Sequence, residues 1–221
     1  MTATGRTHFD KLLQRLEEMV LELGSLSQAA LSLAMKALVE GDQDLAREVI
    51  AADAQINDLR LTIEQECYRL LATEQPVARD MRTIVAALTV VGDLERVGDH
   101  AKKIARTYLR IMENPRPIPA ADVQRLADIA IDMLGSAMRA YGTRDIPVAE
   151  AVCADDDRAD ALYKQIFDAT LAAMLADPQQ IGVGTHLLQI AHELERSADR
   201  ATNIAERVIY AATGALLDLN P

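Results

Sequence analysis

A chain of 221 residues, half of them apolar, has material for a substantial core, in one large domain or two of about 100 to 110 residues. A formal charge of -11 and a pI near 4.8 set up a field that repels nucleic acid and anionic lipid headgroups, so neither is expected as a partner. Tryptophan is absent and aromatics make up 3%, while Ala, Leu, Glu, Asp and Arg dominate, which favours helices over strands and predicts an all-α fold.

Apolar residues at steps of three and four, from Phe9, Leu12, Leu13 and Leu16 through Val20 and Leu23 to Ala37 and Leu38, mark one long amphipathic helix. Gly41-Asp42 ends it and caps the next. A second stripe runs through Leu45, Val49, Ala52, Ile56, Leu59, Ile63, Cys67 and Leu70 and breaks at Thr73-Glu74-Gln75-Pro76, with the proline expected to open a third helix. That helix carries Met81, Ile84, Leu88, Leu94, Val97, Ala101, Ile104 and Tyr108. The run from Glu113 to Pro119 holds three of the seven prolines, so no helix crosses it. It predicts a boundary between domains 1–114 and 115–221. Beyond it the rhythm returns: a helix over Ala121–Tyr141, a turn at Gly142–Asp145, a helix to Ala176, a break at Asp177-Pro178 and a last helix to Ala212.

The chain also repeats itself. Asp93-Leu94-Glu95-Arg96-Val97-Gly98-Asp99-His100-Ala101 recurs 100 residues later as Glu193-Leu194-Glu195-Arg196-Ser197-Ala198-Asp199-Arg200-Ala201. A weaker echo sets Asp53, Asn57 and Leu59 against Asp156, Asp160 and Leu162 on the preceding helices. Residues four apart share a helix face, so Glu95/Asp99 and Glu195/Asp199 each present two carboxylates side by side. Like charges so placed destabilise an exposed helix by about 0.2 to 0.5 kcal/mol. Their recurrence calls for a nearby cation or a solvated face. Arg96 and Arg196 supply part of the charge, and Lys102 and Lys103 add to it in the first copy, where the second has Thr202 and Asn203.

Measured from the break near Gln75, Asp53 and Asn57 lie 22 and 18 residues before it, and Glu95 and Asp99 lie 20 and 24 after. From Pro178, Asp156 and Asp160 lie 22 and 18 before, and Glu195 and Asp199 lie 17 and 21 after. In continuous helices each set therefore sits at one level, roughly 30 Å from its turn at about 1.5 Å per residue. The helical wheel puts these side chains beside the apolar stripe, flanking the core. Oxygen donors from two helices suit a hard or borderline cation such as iron, magnesium, manganese or zinc. Solvated acidic faces on a protein of this charge meet the same spacing.

Other chemistry is poorly supported. No Walker loop, no HExxH after His192 and no Glu-x-x-His occur. His8, His100, His186 and His192 are scattered. Cys67 falls on an apolar stripe, and Cys153, near a helix start, is the one thiol whose pKa could be lowered. With no CxxC spacing, a disulfide framework or zinc-thiolate site is excluded and a reducing compartment is expected. Met1–Asp10 has no apolar h-region, and Ile84–Val91 is too short to cross a bilayer.

The two segments Leu94–Ala101 and Leu194–Glu206, together with the hairpin Leu70–Arg82, resemble the paired signatures of the PhoU family of phosphate transport accessory proteins, and the likeness extends over essentially the whole chain. The resemblance implies a tandem of two three-helix bundles related by a pseudo-two-fold, assembling as a homodimer. It implies multinuclear iron, zinc or other divalent metal clusters outside each bundle, held by [E/D]xxxD pairs. Carried over by position, the ligands are Glu95 and Asp99, Glu195 and Asp199, and on the partner helices Asp156 and Asp160, with Asp53 and Asn57 as first-half counterparts. Asn57 departs from the pattern, since an amide oxygen ligates without charge. The family's task is negative regulation of phosphate uptake, linking the phosphate ABC transporter's ATPase to a sensor histidine kinase in the cytoplasm, a scaffold's work and not an enzyme's. Membrane association then comes through partners. The alternative is a metal-independent acidic scaffold for protein-protein contacts.

Overall fold

The computed structural model describes residues 3–113 and 119–215, with side chains from Thr7 onward at the amino end. It contains six α-helices and, among the described residues, no strand: α1 (Ala3–Glu40), α2 (Gln43–Glu74), α3 (Arg79–Ile111), α4 (Ala121–Thr143), α5 (Ile146–Ala176) and α6 (Ile181–Thr213). Of the proline-rich connection expected over Glu113–Pro119, residues 114–118 lie outside the described residues.

The helix ends follow local chemistry. Gly41 adopts φ +75°, a left-handed conformation suited to glycine, and the Asp42 amide donates back to the Ala37 carbonyl at 2.9 Å. The Asp42 carboxylate then accepts from the amides of Asp44 and Leu45, both at 2.9 Å, and opens α2. Asp145 caps α5 likewise by accepting from the Val148 amide at 3.1 Å. Asp177 accepts from the Gln179 amide and starts a single 3-10 turn, Pro178–Gln180, that leads into α6.

The α2–α3 connection differs from the sequence expectation. Pro76 does not open α3. The residue before a proline is disfavoured in the right-handed helical region, and Gln75 ends α2 in the left-handed region at φ 47°. The chain stays non-helical through Ala78, whose φ is 48°, and α3 begins at Arg79.

The first three helices pack on one another, as do the last three, and α3 lies against α6 while α1 meets α4. One continuous apolar core, from Phe9 and Leu16 through Leu94 and Ile104 to Leu194 and Ile204, runs through both halves. Side chains of the repeated motif stitch the α3–α6 seam in a pseudo-symmetric cross. Arg200 Nη1 reaches Asp93 Oδ1 at 3.2 Å, and at the matching positions His100 Nε2 stands 3.8 Å and Lys103 Nζ 3.4 Å from Glu193 Oε2. His100 is fully buried; Ser197 Oγ donates to the Glu193 carbonyl at 2.7 Å and lies 3.1 Å from His100 Nδ1. Burial, reinforced by Arg196, Lys103 and Arg200, pushes the imidazole down to about 3, so it stays neutral.

This seam sets the level of the acidic pairs. Each repeat presents a Glu two residues and an Asp six residues after its seam acid. Close approach of α3 to α2 is made at Gly98, where an added Cβ would stand 2.9 Å from Ile56 Cδ1. The second repeat has Ala198 and Ala159 at the corresponding positions, so bulk present on α2 is absent from α5.

Candidate metal centre

In the second repeat, α5 and α6 bring Asp156, Asp160 and Asp199 together, each offering an oxygen within 4.8 Å of the others. Among the described residues no other set of three carboxylate, imidazole or thiol groups converges in this way. Asp156 is buried, Asp199 half-buried and Asp160 exposed, so the cluster opens from the α5–α6 seam toward solvent. Glu195, one turn before Asp199, borders it. Its Oε2 is buried without a hydrogen bond, and His192 Nδ1 stands 3.4 Å away.

The electrostatics register crowding. Burial first, then the charges of Asp199 and Asp160, push the Asp156 carboxyl up to about 6, against a hydrogen bond from Thr202. Burial, then Asp199, Asp160 and Asp156, push Glu195 up to about 7. Asp199 is raised as well, chiefly by burial, against the attraction of Arg200. Thr202 Oγ1 donates to Asp156 Oδ1 at 3.3 Å. Arg196 stands 3.9 Å from Glu193 Oε2, on the seam side.

The first repeat is built differently at matching positions. Lys102 donates directly to Asp53 Oδ2. Asn57 turns its Nδ2 toward Asp53, donating to Oδ2 at 3.1 Å and to the backbone carbonyl at 3.0 Å. Arg96 lies 3.7 Å from both Glu95 and Asp99. Here arginine spans the acidic pair, and lysine meets the acid of α2.

One expectation is corrected. Asp53 and Asp156 do not flank the core but sit within it, 6% and 3% exposed. A wheel drawn on one helix omits the neighbour, and α3 or α6 covers the flank that α2 or α5 leaves open. At Cys153, where the helix start makes a lowered pKa conceivable but a reactive thiol is not expected, burial and the charges of Glu206 and Asp156 push the thiol up to about 11. Cys67 is buried in the core, as its place on the stripe predicts, and is pushed up to about 12. The seam acids Asp93 and Glu193 were missed, although each opens a copy of the repeated motif.

Four oxygen donors from two helices, one with an orphaned buried oxygen, fit a hard or borderline cation, because a positive ion relieves both the mutual repulsion and the unmet acceptor. The donors are all carboxylates, so the fit is to oxygen-seeking ions and not to thiolate-bound ones.

Comparison with known proteins places this arrangement. The PhoU domain model matches twice, over residues 20–107 and 123–208. The chain is 35% identical over 208 residues to a phosphate-specific transport system accessory protein PhoU homolog of Zymomonas mobilis, covering 93% of this chain and 87% of that one. It is 35% identical over 216 residues to the Clostridium acetobutylicum homolog, covering 97% and 99%. The crystal structure of PhoU from Pseudomonas aeruginosa superimposes with a TM-score of 0.91 at 33% identity, over 94% of this chain and all of that one. The phosphate transport system regulatory protein PhoU from Streptococcus pneumoniae gives 0.88 at 32% identity, over 95% and 99%. With two domain matches spanning most of its length and relatives this similar along nearly all of it, the chain belongs to the PhoU family.

Proposed function

We propose that this chain is a regulatory adaptor of phosphate transport that binds iron, zinc or another divalent metal through Asp156, Asp160, Glu195 and Asp199. Relatives named as accessory or regulatory proteins of phosphate-specific transport support the regulatory half. The observation that carries the metal half is the convergence of three carboxylates beside a buried, unpartnered Glu195 oxygen. When bound, the ion supplies positive charge against the mutual repulsion of the carboxylates and ties α5 to α6. The adaptor works in the cytoplasm as a homodimer, linking the ATPase of the phosphate ABC transporter to a sensor histidine kinase and damping uptake when phosphate is plentiful. No helix among the described residues is long and apolar enough to cross a membrane, so contact with the transporter falls to the protein's surface.

Elemental analysis of protein purified without chelators, beside capture of the transporter ATPase and the kinase at high and low phosphate, tests the reading. The double variant Asp156→Asn with Asp199→Asn is expected to keep its helicity while losing the metal. Unchanged metal content in that variant removes the site assignment. Partner capture that survives chelation but weakens with salt replaces the metal reading with the metal-independent acidic scaffold.

A further inference from the structure

We propose that Lys102 is a tethered cation holding the place of an ion in the first repeat, so that this chain binds metal in its second repeat alone; the inference rests on the metal reading of the second repeat. The two repeats align with an offset of 100 residues between α3 and α6 and 103 between α2 and α5, so Lys102 corresponds to Thr202 and Asp53 to Asp156. Both pairs are in contact. Lys102 Nζ donates to Asp53 Oδ2, and Thr202 Oγ1 donates to Asp156 Oδ1 at 3.3 Å.

One position thus carries a full positive charge in the first repeat and none in the second. The ammonium is partly buried and its acceptor nearly fully so, with side chains 22% and 8% exposed, and solvent screens the pair weakly. A metal ion entering here meets the repulsion of an ammonium that its own backbone keeps in place. Two further differences act in the same direction. Asn57 replaces Asp160, removing one charge and directing N–H groups at Asp53. Arg96 lies 3.7 Å from both Glu95 and Asp99, whereas Arg196 makes its 3.9 Å contact with the seam acid Glu193 and reaches Glu195 and Asp199 through its charge.

The test is manganese(II) binding to the full chain, with bound ion counted by electron paramagnetic resonance, in wild type, Lys102→Thr, Thr202→Lys, Asp53→Asn and Asp156→Asn. Wild type is expected to bind manganese in a manner lost with Asp156→Asn and untouched by Asp53→Asn. Lys102→Thr is expected to raise the bound manganese by about twofold, the gain vanishing when Asp53→Asn is added. Thr202→Lys is expected to abolish binding, and it carries the test alone should Lys102→Thr fail to fold by circular dichroism. Binding in folded Lys102→Thr that equals wild type, or full binding by Thr202→Lys, overturns the inference and leaves the second-repeat site intact. Wild-type binding that depends on Asp53 also overturns it. A wild type that binds no manganese overturns both the inference and the metal reading beneath it.

Discussion

The two repeats share a backbone plan and differ in how they neutralise it. On the first, the acid of α2 meets a lysine and the acidic pair of α3 is spanned by an arginine. On the second, a threonine hydroxyl stands where the lysine does and donates to the matching acid, and Asp156, Asp160 and Asp199 crowd within 4.8 Å. A duplicated frame therefore holds two local charge states: one in which lysine and arginine pair directly with the acids, the other in which three carboxylates crowd together. A pseudo-two-fold in the backbone does not impose one on the chemistry.

Removing the built-in cation tests the contrast most severely. Lys102→Met leaves Asp53 buried without its charged partner and is expected to lower stability by about 3 kcal/mol in urea denaturation at neutral pH. A loss near zero would show that water, and not lysine, satisfies Asp53.

The second repeat should respond with the opposite sign. A carboxyl whose folded pKa is raised binds its proton more tightly in the folded state, so stability falls as pH rises between the unfolded and folded values. For Asp156 that window runs from 3.8 to about 6, and for Glu195 from 4.5 to about 7. Above pH 7 the destabilisation persists in full in the metal-free protein. Asp156→Asn is expected to raise metal-free stability at pH 8 by about 1 to 2 kcal/mol and to flatten the dependence across pH 4 to 7, followed by thermal unfolding. Added metal should remove the same dependence in wild type.

Packing offers a milder probe. Gly98→Ala pushes a methyl against Ile56 and is expected to destabilise by about 1 kcal/mol, with Ile56→Ala in the same chain relieving the clash. The second repeat carries Ala198 and Ala159 at the corresponding positions, a pairing of the same small size as the double variant. The smallest effect expected is that of Thr202→Ala, which removes a neutral hydrogen bond from Asp156 and should change stability by about 0.5 to 1 kcal/mol. A change as large as that of Lys102→Met would mean that the hydroxyl and the ammonium do the same work.

Much of this was legible before any coordinates. The 3.6-residue apolar rhythm from Phe9 to Leu38 and its five successors specify helices because one face must leave water, and Gly41-Asp42, Asp145 and Asp177 close or open them through chemistry that acts within a few residues. Counting residues from each hairpin placed Asp156, Asp160 and Asp199 at one level, since rise per residue is constant in a helix. The start of α3 was read three residues early, because the left-handed Gln75 and Ala78 are not encoded by any glycine.

What required the assembled molecule was everything that depends on a neighbour's flank. The burial of Asp53 and Asp156, the cross between Asp93 and Arg200, and the orphaned oxygen of Glu195 arise where separate helices meet. The lysine at position 102 and the threonine at 202 stood in plain view as letters. Only packing decided that each would touch the buried aspartate of the preceding helix, because periodicity orients a side chain about its own axis and says nothing of what the adjoining rod brings to meet it.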